Sequence, residues 1–380
     1  MTVLSVIGTR PEAIKMAPVV AELSRRPDEV RSLVCLTGQH EEMLDQALEL
    51  FDVPRDFDLD VMRPDQSLAE LTANLLRALT PVVAETKPDW IVAQGDTTTV
   101  LVAALAALYE RVPFAHVEAG LRTGDLAKPF PEEANRCVAD RLSALHFAPT
   151  ERSRQALLSE GCAAGKIFVT GNTVIDALRL ILEKPCDWSS GPLNTLSPDE
   201  RIVLITAHRR ESFGAPLRQM CEAIRALATR FGDVRFVYPV HLNPNVRAPV
   251  FELLSGLGNV LLLDPVDYLS LANLMSRSTL ILTDSGGIQE EAPSLGVPVL
   301  VMREVTERPE GVEAGAVKLV GTGRDRIIAE ASRLLTDDQA GTEMSRRANP
   351  YGDGRAAVRI VDALVHGRPK DEFQPGRDRP

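Results

Sequence analysis

Residues 279–296, TLILTDSGGIQEEAPSLG, join a short apolar strand to a glycine-containing turn and then to a helix. The turn, Ser285 to Gly287, lets the backbone approach a ligand closely, and the N–H groups at the start of the helix favour an anion there. Glu290 and Glu291 are expected in the first turn of that helix, where the helix dipole favours carboxylates and where they can bind sugar hydroxyl groups. The stretch therefore predicts a diphosphate site, with an ordinary strand-turn-helix corner capped by Ser285 as the alternative.

The same rhythm of strand and helix extends over the rest of the chain. Apolar runs that predict strands occupy residues 3–8, 31–38, 89–96, 113–120, 145–150, 166–172, 201–208, 234–241, 259–265, 279–284 and 297–302. Longer amphipathic stretches lie between them, and this alternation is typical of parallel sheets flanked by helices. We therefore predict an α/β fold with doubly wound sheets.

The rhythm restarts after the polar segment 185–198, which indicates two domains. A length of 380 residues agrees, since single domains usually have ~100–200 residues. We predict a first domain over residues 1–172 and a second over residues 173–354. The tail, residues 367–380, has almost no apolar content and is expected to be disordered.

Composition argues against several functional classes. A formal net charge of −11 disfavours general binding to nucleic acid or to a membrane surface. Five scattered cysteines show no CxxC spacing, so neither a metal site nor a disulfide framework is predicted. No apolar run approaches the ~20 residues that span a bilayer, and no charged leader precedes the first strand. We expect a cytoplasmic protein.

Ionisable side chains recur directly after the predicted strands, where open α/β sheets bind their ligands. They are Arg10, Lys15, Asp96, His116, Glu118, Glu132, Glu133, His208, Arg209, Arg210, Glu211, His241, Arg308 and Glu310. The first of these segments, GTRPEAIK, lacks the GxGxxG spacing of dinucleotide sites, so no dinucleotide cofactor is indicated.

Each of these side chains, taken singly, has a structural alternative. The alternatives are a helix cap for Asp96, solvated positions or ion pairs with Arg122 and Arg136 for Glu118 and Glu132, a core position for His208, and an ion pair of Arg10 with Glu12. Recurrence at strand ends in both halves of the chain favours one shared functional site instead.

Ten strings in chain order resemble the non-hydrolysing bacterial UDP-N-acetylglucosamine 2-epimerases. They are GTRPEAIKMAP, QHEEMLDQ, GDTTT, HVEAGLRTGD, PEEANR, TGNTVIDAL, HRRESFG, YPVHLNPNVR, DSGGIQEEAPSLG and NPYGDG. The resemblance runs from Val3 to about Leu364. It implies two Rossmann-like domains facing a central cleft, as in GT-B glycosyltransferases, with a C-terminal helix over about residues 355–366 that joins the first domain. It also implies a homodimer.

The activity implied by this resemblance is reversible epimerisation at carbon 2, from UDP-N-acetylglucosamine to UDP-N-acetylmannosamine, supplying surface polysaccharide. The carbon 2 proton is not adjacent to a carbonyl, so simple deprotonation is unattractive. Expulsion of UDP from carbon 1 acidifies that proton and permits elimination to 2-acetamidoglucal, to which UDP adds back. The route needs acid/base groups on both faces of the sugar and a stabilised diphosphate, but no cofactor and no metal.

The resemblance also assigns residues by motif position. The catalytic positions are Asp96, Glu118, Glu132 and His208, with His208 near the diphosphate. The substrate-binding positions are Arg10, Lys15, Ser285, Gly286, Gly287, Glu291 and Arg308. Bacterial relatives are also activated by UDP-N-acetylglucosamine at a second site, and the positions that match it are Gln39, Gln46, Arg209 and His241. Orientation of the catalytic loops is the alternative role for these four residues.

The chain departs from the family pattern at three positions. Ala207 replaces an expected glycine, and Val266 and Leu271 lie where relatives can carry glutamine and phenylalanine near uracil. If backbone atoms bind the uracil, these changes matter little. If side chains bind it, relaxed base selectivity is expected. The alternative functions are a hydrolysing epimerase that releases N-acetylmannosamine and UDP, a GT-B glycosyltransferase, and a non-catalytic nucleotide-sugar sensor.

Overall fold

A computed structural model describes residues 1–38, 42–63, 65–189 and 191–376. The chain forms two compact units. Unit 1 comprises Met1–Leu180 and Tyr351–Pro380, and unit 2 comprises Ile181–Pro350. The limits differ from the expected boundary at residue 172 because a helix over Thr173–Leu182 begins in unit 1 and ends in unit 2.

Unit 1 is built on a seven-stranded parallel sheet. Its strands are β1 (Thr2–Ile7), β2 (Arg31–Leu36), β3 (Phe57–Asp58), β4 (Trp90–Gln94), β5 (Phe114–Val117), β6 (Leu145–Ala148) and β7 (Ile167–Val169). They lie in the order β3-β2-β1-β4-β5-β6-β7, and every pairing is parallel. The order reverses between β1 and β4, and such a switch point is where doubly wound sheets bind ligands.

Unit 2 is built on a six-stranded parallel sheet. Its strands are β8 (Arg201–Thr206), β9 (Val234–Pro239), β10 (Val260–Leu263), β11 (Ser278–Thr283), β12 (Val299–Val301) and β13 (Val317–Leu319). They lie in the order β10-β9-β8-β11-β12-β13, and again every pairing is parallel. The switch point here falls between β8 and β11. The α/β prediction with two doubly wound sheets is confirmed.

Helices connect the strands of both sheets. In unit 1 they are α1 (Arg10–Ser24), α2 (Glu42–Leu50), α3 (Leu68–Thr86), α4 (Thr98–Glu110), α5 (Glu132–Leu142), α6 (Glu151–Ser159) and α7 (Thr173–Leu182). In unit 2 they are α8 (Ala215–Arg230), α9 (Pro244–Leu254), α10 (Tyr268–Arg277), α11 (Gly286–Glu291), α12 (Pro309–Glu313), α13 (Arg324–Thr336) and α14 (Asp338–Ser345). The last helix, α15 (Ala356–His366), packs against α1 in unit 1.

The core of each unit lies between its sheet and its helices. In unit 1, α4 packs between α3 and α5, and its alanines Ala103, Ala104, Ala106 and Ala107 are fully buried. Small side chains let this helix lie close to the β4 strand. In the described part of the chain, no helix is both long and apolar enough to cross a membrane.

Every apolar run that predicts a strand contains one. The sequence does not predict β3 or β13, which have two and three residues and lie at sheet edges, because such short runs carry little periodicity. Residues 173–176 of the string GNTVID already lie in α7.

The segment after α15 differs from the disorder expected for it. Phe373 is buried, and its N–H donates to the carbonyl of Val169 in β7 at 2.7 Å. Glu372 forms an ion pair with Arg154 at 3.0 Å. A few side chains therefore attach this polar segment to unit 1, and composition alone does not reveal them. Residues 377–380 lie outside the described residues.

Candidate active site

Glu118 follows β5 and lies in a buried hydrogen-bond network of unit 1. Lys15 Nζ donates to its two carboxylate oxygens at 2.7 and 2.8 Å. Asn172 Nδ2 donates to Oε1 at 2.9 Å, and Gln94 Nε2 donates to Oε2. Because these three partners are all donors, the network suits an ionised carboxylate. Gln94 and Asn172 are residues that sequence reasoning missed, although both end or follow predicted strands.

The backbone of Glu118 supports a functional reading. Its φ of 65° lies in the left-handed region, which is uncommon for a residue with a side chain. Such a conformation costs on the order of 1–3 kcal/mol and persists only where the surroundings enforce it. The expected alternative, an ion pair with Arg122, is wrong, because Arg122 binds Asp140 and Glu160 at 2.8 and 2.7 Å.

Asp96 follows β4 and belongs to the same electrostatic group. Its carboxylate forms an ion pair with Arg136 at 2.5 Å. Burial raises the pKa of Asp96, Arg136 opposes that shift, and the carboxylates of Glu118 and Glu132 add to it. The helix-cap alternative is wrong, since the residue that caps α4 is Thr97. Burial therefore favours the neutral form of Asp96, and the ion pair with Arg136 favours its charged form.

Glu132 and Glu133 begin α5 and have different surroundings. Among the described residues, Glu132 Oε2 is buried and has no hydrogen-bond partner. An unsatisfied buried oxygen costs about 1–3 kcal/mol, and its presence is typical of a ligand site. Glu133 Oε1, by contrast, accepts from the N–H groups of Thr123 and Gly124, both at 2.9 Å. Glu133 Oε2 also has no hydrogen-bond partner among the described residues, but it lies 3.5 Å from the Arg136 guanidinium. The two glutamates therefore differ in that the N–H groups of a neighbouring loop hold one oxygen of Glu133.

Glu12, which follows Arg10 in α1, ties the turns after β1 and β4 together. Its Oε2 accepts from the N–H groups of Gly8 and Thr9 at 2.6 and 3.0 Å, and its Oε1 accepts from the Thr97 hydroxyl. Burial raises the pKa of Glu12 to about 7. The sequence shows only a capping box here, so the contact with Thr97 is a finding of the structure.

The corresponding switch point in unit 2 is organised by Asp284. This residue directly follows the strand β11 and is fully buried. Its Oδ2 accepts from the N–H groups of His208 and Arg209, both at 2.8 Å. In the described part of the chain, its Oδ1 has no hydrogen-bond partner and lies 3.6 Å from His208 Nδ1. Asp284 stands in the opening sequence stretch, but nothing local indicates its contact with β8.

His208 stacks on His241, with ring centroids 5.5 Å apart and planes inclined by 8°. The side chain of His208 is 40% exposed, so the expected alternative of a core histidine is wrong. Burial lowers the pKa of His208, Asp284 partly opposes the shift, and His241 and Arg209 add to it. The ring is therefore biased toward the neutral form, and a bound anion would reverse that bias.

The Ser-Gly-Gly stretch differs in detail from the turn expected there. Ser285 is the N-cap of α11, and Gly286 and Gly287 are already its first two residues. A Cβ atom on Gly286 would lie 3.3 Å from the Arg209 guanidinium and 3.4 Å from Glu307. Close approach of these side chains, and not a left-handed backbone, is therefore what favours glycine at this position.

The two glutamates of the same helix also differ from expectation. Glu290 and Glu291 end α11 instead of lying in its first turn, and both are buried. Glu291 Oε2 accepts from the Tyr268 hydroxyl at 2.8 Å. Glu290 forms an ion pair with Arg308. The helix dipole thus cannot be the reason for carboxylates here, whereas a role in binding hydroxyl groups is compatible with Glu291.

The residues that match a second site are dispersed. Arg209 binds Glu307 at 3.1 Å, and His241 stacks on His208 in unit 2. Gln46 is exposed on α2 in unit 1, and Gln39 lies outside the described residues. The contact of His241 with His208 agrees with the alternative that it orients a catalytic loop.

The chain carries no grouping of three or more metal-ligating side chains in the residues that the structure describes. At the three departures from the family pattern, Ala207 is buried and its carbonyl accepts from the Tyr238 hydroxyl at 2.8 Å. Val266, by contrast, lines an open cavity of about 500 Å³ in unit 2, and Leu271 is half-buried. Only Val266 of the three therefore offers a side chain to an open site.

Comparison with known proteins shows the family of the chain. A family model described as UDP-N-acetylglucosamine 2-epimerase matches residues 21–365. The chain belongs to this family. It is 54% identical over 376 residues to the UDP-N-acetylglucosamine 2-epimerase of Escherichia coli strain K12, covering 97% of this chain and 99% of that relative.

Solved structures extend the comparison to the fold of the family. The UDP-GlcNAc 2-epimerase from Neisseria meningitidis bound to UDP-GlcNAc has a TM-score of 0.87 at 50% identity, covering 96% of this chain and 100% of that chain. Acinetobacter baumannii MurG has a TM-score of 0.60 at 15% identity, covering 96% of this chain and 99% of that chain, which shows the fold alone. The prediction of two Rossmann-like domains of the GT-B-like class is confirmed.

Proposed function

We propose that this protein is a non-hydrolysing UDP-N-acetylglucosamine 2-epimerase that interconverts UDP-N-acetylglucosamine and UDP-N-acetylmannosamine by elimination and re-addition of UDP. Family membership supports the substrate class. The observation that carries the mechanism is the contrast between Glu118, whose partners are all donors, and Asp96, whose pKa is raised within the same cluster. Acid/base chemistry at carbon 2 requires one carboxyl group that removes a proton and another that returns one, and different surroundings suit carboxyl groups to these two roles.

In the proposed first step, a carboxylate of unit 1 removes the carbon 2 proton. The electrons of that C–H bond form the carbon 1–carbon 2 double bond, and the bond from carbon 1 to the diphosphate oxygen breaks. In the second step, the diphosphate oxygen attacks carbon 1, and a protonated carboxyl group returns a proton to carbon 2 from the opposite face. Asp96, Glu118 and Glu132 are the candidates, and Glu132 Oε2 has no hydrogen-bond partner among the described residues.

In unit 2, the groups around α11 suit the departing UDP. His208 is half-exposed and lies beside Arg209, and the helix begins with the N–H groups of two glycines. We assign the diphosphate to these groups, because a dianion raises the pKa of a neighbouring imidazole and thereby gains a proton donor. Glu291, hydrogen-bonded to Tyr268, is assigned to the ribose hydroxyl groups.

Lys15, Arg10 and Arg308 are assigned to the substrate site on motif position. Lys15 also holds Glu118, so its role includes orientation of that carboxylate. We extend the proposal to a homodimer, to supply of N-acetylmannosamine units for a surface polysaccharide, and to activation by UDP-N-acetylglucosamine at a second site.

Proton NMR of the purified protein with UDP-N-acetylglucosamine in deuterated water tests the proposal, with EDTA present and no NAD added. We expect both nucleotide sugars to accumulate with deuterium at carbon 2. Epimerised product that fully retains its carbon 2 proton would overturn the elimination route. Free N-acetylmannosamine as the main product would identify a hydrolysing enzyme, and an unchanged nucleotide sugar would favour a glycosyltransferase or a sensor.

A further inference from the structure

A buried histidine connects the turns that carry Asp96 and Glu118. His116 lies in β5, two residues before Glu118, and is fully buried. Its Nε2 lies 2.7 Å from the carbonyl oxygen of Gly95, the residue directly before Asp96. Its Nδ1 lies 2.6 Å from Asp140 Oδ1. The mechanism proposed above uses neither His116 nor Asp140.

The two contacts of the His116 ring determine its protonation. A carbonyl oxygen accepts hydrogen bonds and never donates, so Nε2 carries a proton. A neutral ring would then present a lone pair at Nδ1 to the Asp140 carboxylate, which is repulsive at this distance. Burial lowers the pKa of His116, but the charge and hydrogen bond of Asp140 outweigh it and raise that pKa. The pair is therefore a buried imidazolium and carboxylate.

Asp140, in α5, holds the second turn. Its Oδ2 accepts from the Gly120 N–H at 3.1 Å and from the Arg122 guanidinium at 2.8 Å. Gly120 has a φ of 85°, and Glu118, two residues earlier, has a φ of 65°, so the backbone is left-handed at both positions. The contact with Asp140 fixes this stretch of backbone. The two turns are also joined directly, because the Gly95 N–H donates to the carbonyl of Val117 at 3.1 Å.

We propose that His116 and Asp140 are positioning residues that hold the Asp96 turn and the Glu118 turn in fixed register for proton transfer. The inference rests on the proposed epimerase function. His116 is hydrogen-bonded to the first turn at Gly95, and Asp140 is hydrogen-bonded to the second turn at Gly120. The ion pair between His116 and Asp140 connects these two contacts. Proton removal and return require reacting atoms within about 3–3.5 Å, and a displacement of about 1 Å costs ~10²-fold in rate.

The test compares His116→Gln, Asp140→Asn and the double variant with the wild-type protein. Each single change should lower kcat about 10- to 100-fold, with KM and UDP affinity within about twofold, because neither residue contacts the nucleotide. The double variant should be no slower than the worse single variant, because the two residues act as a pair and glutamine can bond asparagine without a buried charge.

His146→Gln is the matched control. His146 is a buried histidine on the neighbouring strand β6, paired in register with His116, and its Nε2 donates to the backbone carbonyl of Asp140 at 2.8 Å. It thus contacts the same residue without belonging to the ion pair, and glutamine can still donate to that carbonyl. This variant should lose thermal stability but keep its kcat. An equal loss of kcat in His146→Gln, or a normal kcat in both single variants, would overturn the positioning role.

A measurement on the wild-type protein tests the ion pair even if the variants do not fold. Nitrogen NMR of labelled histidine should show one ring with N–H protons on both nitrogens at pH 8, and a spectrum in which every ring carries a single N–H would overturn the ion pair. A wild-type protein that leaves UDP-N-acetylglucosamine unchanged would overturn the proposed function. Normal wild-type turnover together with unimpaired single variants would overturn the positioning role alone.

Discussion

Unit 1 and unit 2 each carry candidate functional side chains at the switch point of a parallel sheet, but the surroundings of these side chains differ. In unit 1, Glu118 accepts from three side chains, and a buried ion pair supports its turn. In unit 2, His208 is 40% exposed and contacts mainly another ring. Proton transfer needs carboxyl groups whose positions and protonation states are fixed, whereas a diphosphate-binding site must be accessible to a large anion.

Both units also contain buried carboxylate oxygens that have no hydrogen-bond partner among the described residues. Two of these oxygens are Glu132 Oε2 in unit 1 and Asp284 Oδ1 in unit 2. The first lies at the start of a helix beside the carboxylate cluster. The second lies beneath His208, where it would stabilise the imidazolium that an arriving anion creates. Variants in unit 1 should therefore change turnover, and variants in unit 2 should also change affinity for UDP.

The largest effect is expected in unit 1. Asp96→Asn, Glu118→Gln and Glu132→Gln should each lower kcat by roughly 10²-fold or more while leaving the Kd for UDP nearly unchanged, because acid/base groups are lost. Steady-state kinetics and calorimetry measure the two quantities. Glu133→Gln is the control, since its oxygen can still accept from Thr123 and Gly124. Near-normal turnover in one of the three variants would remove that residue from the catalytic set.

His208→Ala should be intermediate and should affect both quantities. Loss of the imidazole removes a donor to the departing diphosphate, so we expect kcat to fall about 10- to 10²-fold and UDP affinity about tenfold. A change in kcat without any change in the Kd for UDP would contradict the expected difference between the units, because His208 would then behave like the carboxylates.

Gly286→Ala should have a smaller effect, confined to binding. The added methyl group would press on Arg209 and Glu307 at 3.3 and 3.4 Å, whose flexible ends can move. We therefore expect UDP affinity to fall by less than about tenfold, which corresponds to less than about 1.4 kcal/mol. Calorimetry with UDP is the measurement, and unchanged affinity would mean that the start of α11 is only a structural corner.

The smallest effect on activity is expected for Asp176→Asn, outside both clusters. Asp176 is buried, and its oxygens accept from the N–H groups of Ala356 and Ala357 at 3.2 and 2.8 Å. Burial raises its pKa to about 7 from 3.8. The folded state therefore binds the proton more tightly, so this contribution to stability is complete below pH 4 and is lost as pH rises through 7.

Denaturant unfolding at pH 5 and pH 8 measures this contribution. Between these two pH values the loss should be at most about 3 kcal/mol, and Asp176→Asn should remove much of it, because asparagine has no titrating carboxyl group and keeps one of the two acceptor oxygens. Glu12, with a pKa of about 7, remains in the variant and retains part of the pH dependence. An identical pH dependence in the wild type and the variant would contradict the assignment to Asp176.

Sequence patterns located the strands and the strand-end residues, but not the partners of those residues. The run TLILTD predicts β11, and DSGG predicts the start of α11, because both are properties of a few neighbouring residues. The prediction for this stretch places Glu290 and Glu291 in the first turn of α11, whereas they end that helix. A six-residue helix shows no clear periodicity from which its limits can be predicted. The tail was misjudged for a related reason, because one buried aromatic, Phe373, is enough to attach it.

What the sequence by itself determined is the α/β class, the family and the identities of the carboxylates and basic groups, because these depend on local period and on motifs. Only the tertiary structure decided that Lys15 holds Glu118 across 103 positions, and that His116 and Asp140 tie two turns together. The physical reason is that protonation and orientation depend on burial and on partners from distant segments, which parallel strand order brings together and no local pattern specifies.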